Sequence, residues 1–64
     1  MDIETIHASL VNGQRRQMVD QIQEYGLYDF WADYRDFLKD VYNAQDALSY
    51  FTDATISYFR ITNR

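Results

Sequence analysis

The sequence predicts an all-α fold, a compact bundle of three to four short helices forming a single helical domain over residues 1–64. Three observations predict it. Apolar residues recur at helical rather than alternating spacing along most of the chain. Proline is absent, and the only glycines, Gly13 and Gly26, fall between the periodic stretches as punctuation. The stretch from Leu27 to Tyr42 then sorts its side chains into three arcs when read as a helix. Phe30, Trp31, Tyr34, Phe37, Leu38 and Val41 share a broad apolar face, with Phe37 at its middle. Asp29, Asp33, Asp36 and Asp40 form a narrow acidic row at spacings of four, three and four, and Arg35 and Lys39 lie one turn apart on a third arc. Read as a strand, the same residues alternate poorly.

The first element follows from Ile3, Ile6 and Leu10 on one face, with Asp2 or Thr5 as its cap. Asn12-Gly13 ends it, because glycine tolerates the left-handed conformation of a helix C-terminus. The alternative at this point is one kinked helix. From Gln14 to Tyr25 the stripe is narrow: Met18, Val19, Ile22 and Tyr25. Gly26 closes that helix, and Asp29 is expected to cap the next. Asn43 ends the central helix and caps a fourth, from Ala44 to about Ile61. There Ala44, Ala47, Leu48, Phe51, Ala54, Thr55, Tyr58 and Phe59 cluster on one side, and Ile56 is the misfit. Residues 55–61 favour a strand on propensity, but the partner a strand would need is missing.

Composition limits the function. A chain this short buries only about 60% of the surface it exposes when unfolded, so its stability is marginal. It has no cysteine, which excludes disulfides and thiolate metal sites and favours a reducing, cytoplasmic setting. No apolar run reaches membrane-spanning length, and no basic-then-apolar leader opens the chain, so neither a membrane segment nor a signal peptide is expected. The net charge of −4 argues against direct nucleic-acid binding, which needs cations to neutralise phosphates. It permits docking on a basic surface of another protein.

No residue pattern points to catalysis. His7 is the only histidine, and Glu4-x-x-His7 supplies only half of a di-iron motif, so it reads as a partly exposed side chain on a short helix. No enzyme activity, cofactor or metal is expected. Arg15-Arg16 reads as a solvated face. A helix-turn-helix around Gly26 would push four aspartates toward DNA phosphates and is rejected. The acidic row has three readings. The first is a solvated face. The second is a Ca²⁺ or Mg²⁺ site, for which the usual loop is absent. The third is mimicry of a nucleic-acid backbone, since carboxylates recurring every ~4.5–6 Å approach phosphate spacing. With six Tyr, four Phe and one Trp, the chain has more aromatic side chains than a bundle of this size is expected to hide. Tyr25, Tyr28, Tyr42 and Tyr50 fall at the edges of their stripes, where tyrosine makes good contact surface.

LVNGQRRQMVDQIQEYG followed by DFWADYRDFL covers roughly the middle half of the chain. It resembles the small proteins encoded by phages and other mobile elements, and the resemblance implies binding and blocking of a host protein. The expected function is therefore a small acidic protein-binding module, a phage-type inhibitor of a host nucleic-acid-handling protein. Its contact residues would be Asp29, Asp33, Asp36, Asp40, Tyr28 and Tyr42. The alternative is a structural homo-oligomer pairing through its aromatic surface.

Overall fold

In the computed structural model, which describes residues 1–63, the chain forms four helices: α1 (Ile3–Val11), α2 (Arg15–Tyr25), α3 (Leu27–Val41) and α4 (Ala44–Thr62). No strand occurs among the described residues. α2 and α3 each pack against all three of the other helices.

Local chemistry sets each helix end. The Asp2 carboxylate accepts from the Thr5 N–H at 2.9 Å and caps α1. At the other end the Gln14 N–H donates to the Ser9 carbonyl and the Gly13 N–H to the Leu10 carbonyl, which is a Schellman closure. Gly13 takes the left-handed backbone this closure requires, with φ +77°. The chain therefore turns here, and the kinked-helix alternative is excluded.

Gly26 alone separates α2 from α3. Its N–H donates to the Ile22 carbonyl and its own carbonyl accepts from the Phe30 N–H. Its φ of +115° and ψ of +116° lie outside the regions open to L side chains. Asp29, expected as the cap of α3, is not one: Gly26 occupies that position and makes no side-chain bond. A reversal made in a single residue leaves no room for a separate cap. Asp29 sits instead in the first turn, where its charge complements the helix dipole. Asn43 does cap α4, accepting from the Asp46 N–H at 2.8 Å.

The core is built from Ile6 and Leu10 of α1, Met18, Val19 and Ile22 of α2, Phe30, Tyr34 and Leu38 of α3, and Ala47, Ala54 and Tyr58 of α4. Phe37, expected at the centre of the α3 face, is only half-buried, and Phe30 and Tyr34 hold the centre. Val41, also expected inward, is exposed because it sits at the last turn of α3, at the end of the bundle.

α4 is rotated from its expected setting. Leu48 and Phe59, placed inward by their periodicity, are 68% and 49% exposed, while Ser57 is buried. The small residues Ala47, Ala54 and Ser57 face the neighbouring helices and permit close approach. Ser57 can be buried because it is paired on both sides: it accepts from Arg15 Nε at 3.1 Å and donates to Asp53 at 3.2 Å. Arg15 also lies 3.6 Å from Asp53 and so ties α2 to α4, while it and Arg16 stay exposed to water as expected. Thr55 and Thr62 bond back to the carbonyls of Phe51 and Tyr58, which accommodates these β-branched residues in a helix.

Candidate protein-binding face

The outer surface of α3 follows from what its inner surface buries. Phe30, Tyr34 and Leu38 recur every fourth residue and lock one side of the helix into the core. The opposite side must then face water. Asp29, Asp33, Asp36 and Asp40 lie on an arc that flanks the buried line, and all four are exposed. They span about 16 Å at the helical rise of ~1.5 Å per residue.

The row is only lightly neutralised by its own chain. Asp36 lies 3.7 Å from Arg35, a pair open to water on both sides and therefore weak. Asp33 accepts from the Tyr25 hydroxyl at 2.5 Å, and this bond holds the phenol above its usual pKa. The Tyr25 bond orients one carboxylate without cancelling its charge. Among the described residues, Asp29, Asp33 and Asp40 enter no ion pair. No three His, Cys, Asp or Glu side chains among those residues converge on a point where a metal ion could sit.

The two tyrosines assigned to this face part company. Tyr28, in the first turn of α3, is 89% exposed. Tyr42 is half-buried, its ring 4.8 Å from that of Tyr50, and its hydroxyl is engaged with His7. Tyr25 and Tyr50 are half-buried as well. The aromatic surplus is largely absorbed by the core and its margin.

His7 is the residue the sequence reading misplaced. It is buried, at 7% exposure, rather than partly exposed. Its Nδ1 is 2.7 Å from the Tyr34 hydroxyl and its Nε2 is 2.8 Å from that of Tyr42. The rings of Phe37 and Tyr50 pack against it at 5.4 and 4.9 Å. A neutral imidazole donates from one nitrogen and accepts at the other, and so satisfies both phenols. Burial lowers the His7 pKa below 6.5 and raises that of Tyr34 well above 10. A signal was present: His7 follows Ile6 and precedes Leu10, on the margin of the α1 stripe. Its two partners are remote in sequence and could not be found by spacing.

A second feature escaped the sequence. A groove of about 330 Å³ opens between α3 and α4. Leu38, Ala47 and Phe51 line it with Leu48, and Arg35 and Lys39 stand with them.

The fold and this face define a small four-helix protein with an acidic row on its central helix. Compared with protein-family models, curated proteins and solved structures, the chain shows no match. No helix among the described residues is long and apolar enough to cross a membrane.

Proposed function

We propose that this protein is a binding module without enzymatic activity, which presents the carboxylate row of α3 to a basic surface on a protein partner. The observation that carries the reading is that all four carboxylates are exposed along one helix, on an arc that flanks its core contacts. Charges fixed on a packed helix lose little freedom on docking, and a row of one sign steers a cationic partner toward it. The spacing suits a cleft built for phosphates, so the favoured partner is a nucleic-acid-handling protein blocked by occupation of that cleft. The cysteine-free composition fits a cytoplasmic setting.

The test is a titration of isotope-labelled protein with an oligoarginine peptide, followed by amide chemical shifts. Shifts should concentrate on residues 29–40. Asp33→Asn with Asp36→Asn should reduce them without changing helix content, and the loss should shrink as salt is raised. The control is Asp20→Asn with Glu24→Gln, the same charge change at exposed positions of α2. Equal weakening by both pairs would mean that net charge alone acts, and the reading would fail.

A second reading, self-association, is favoured by a different observation. Leu48, Ile56 and Phe59 leave an apolar stripe exposed on α4. Pairing would then use this stripe more than the aromatic surface, which is mostly buried.

A further inference from the structure

We propose that Asn12-Gly13 is a site of spontaneous covalent modification, deamidation of Asn12 through a succinimide, which the closed end of α1 holds off and local opening of that end admits. The two residues lie in the turn between α1 and α2, and both are exposed, so water reaches them. In the reaction the Gly13 nitrogen gives up its proton and attacks the side-chain carbonyl carbon of Asn12. The new N–C bond closes the ring, and the side-chain amide leaves as ammonia with that proton. Water then opens the ring at one of its two carbonyls. Opening at the side-chain carbonyl leaves aspartate. Opening at the main-chain carbonyl leaves isoaspartate, with the chain running through the former side chain. The only co-reactant is water. With no side chain, glycine hinders the attack least. An added Cβ at Gly13 would meet no atom within 4 Å, so the ring has open space around it.

The closed turn opposes that attack in two ways. The Gly13 N–H, whose proton must leave, donates to the Leu10 carbonyl at 3.1 Å, and the Gln14 N–H beyond it donates to the Ser9 carbonyl at 2.9 Å. Asn12 has ψ 3°, which eclipses the Gly13 nitrogen with the Asn12 nitrogen. Ring closure needs it eclipsed with the Asn12 Cβ, so this ψ must rotate and both hydrogen bonds must break first. Helix ends open locally at a lower free energy than global unfolding, so the reaction proceeds from a chain that is otherwise folded. The products do not regain the closed form. Each adds a carboxylate at the C-terminal end of α1, where the helix dipole is negative and the last turn holds no basic residue. Isoaspartate also adds a methylene to the main chain, which moves the Gly13 and Gln14 N–H groups out of register with their carbonyls. Modification is therefore a one-way loosening of α1, which packs on α2 and α3.

The test is peptide mapping by mass spectrometry of the full chain aged at mildly alkaline pH, beside hydrogen exchange at the Gly13 amide. The mass gain of an amide turned to an acid should appear at Asn12 ahead of Asn43 and Asn63, with isoaspartate among the products. The same chain unfolded in guanidinium chloride sets the ungated rate. The native chain should react at least about tenfold more slowly, the factor for an opening free energy of ~1.4 kcal/mol. The same factor should appear in the protection of the Gly13 amide, because the proton that exchanges is the one the attack must lose. Asn12→Gln, at an exposed position, should fold as the parent does and stay unmodified, since its ring would be larger. The deamidated protein should melt below the fresh one. A native rate equal to the unfolded rate would overturn the gating. Asn12 left intact while the Gly13 amide exchanges would overturn the site. Equal melting temperatures for fresh and deamidated protein would overturn the loosening of α1.

Discussion

His7 shows how much one side chain can carry in a chain of this length. Its two nitrogens join α1 to Tyr34 within α3 and to Tyr42 at the end of α3. Replacement by an apolar residue would leave the buried Tyr34 hydroxyl without this partner, a loss of ~1–3 kcal/mol. The group also makes stability depend on pH. Burial lowers the folded-state pKa below the unfolded value near 6.5. Between those two values the unfolded chain binds more protons than the folded one, so stability falls as pH falls. The contribution is whole above about 6.5 and is lost as pH drops from there through the lowered folded value. Wild-type protein should therefore lose melting temperature on going from about pH 7 to about pH 5.5, above the range where carboxylates titrate. His7→Gln, which can still donate and accept, should show a flatter profile over that interval. Parallel profiles for the two proteins would show that His7 does not titrate with folding.

Helix ends, more than helix interiors, decide this topology. Two glycines set the turns, and they do so differently. Gly13 has φ +77°, and no atom would meet an added Cβ within 4 Å. Gly13→Ala should thus cost only the left-handed backbone penalty, ~1–2 kcal/mol. At Gly26 an added Cβ would find ordinary contact, its nearest neighbour being an Asp29 oxygen at 3.8 Å, so space is not the obstacle. The obstacle is the backbone, whose φ of +115° and ψ of +116° no L residue adopts readily. Gly26→Ala should destabilise more than Gly13→Ala, and Gly13→Asn should cost least because asparagine tolerates the left-handed region. Urea denaturation of the three variants checks the order. An equal cost for Gly13→Ala and Gly26→Ala would contradict it. The alanine-and-serine face of α4 is the other decision made at this scale. Ala47, Ala54 and Ser57 turn inward, and Leu48, Ile56 and Phe59 are left to solvent.

At the scale of the molecule, two surfaces compete for partners: an acidic one on α3 and an apolar one on α4. A domain this small has little stability in reserve, and covering apolar surface is one of its remedies. The α4 stripe carries no charge at Leu48, Thr52, Thr55, Ile56 or Phe59, so a second copy meets no like charge there despite a net −4 per chain. Sedimentation equilibrium in the micromolar range should give masses above that of the 7.7 kDa chain, and Leu48→Glu with Phe59→Glu should restore the monomer. A wild-type monomer throughout that range would remove the self-association reading and leave the acidic row as the route to a partner.

The sequence by itself predicted three to four helices, the breaks at Gly13, Gly26 and Asn43, and the caps at Asp2 and Asn43, while it left open whether the chain turns at Gly13 and whether residues 55–61 are helical. Helical periodicity, Asp2, Gly13, Gly26 and Asn43 act over three to five residues, and that information is local. It also determined that Asp29, Asp33, Asp36 and Asp40 share one side of α3, since a helix fixes angular relations within itself. The tertiary structure decided what periodicity cannot express. It set the rotation of α4, because a shallow apolar arc of Ala, Leu and Thr permits several settings, and the winning one lets small residues approach α2 and α3. It buried His7, because the phenols that satisfy it come from residues 27 and 35 positions away. It also opened the groove beside Arg35 and Lys39, since a cavity between two helices exists only once their packing is fixed.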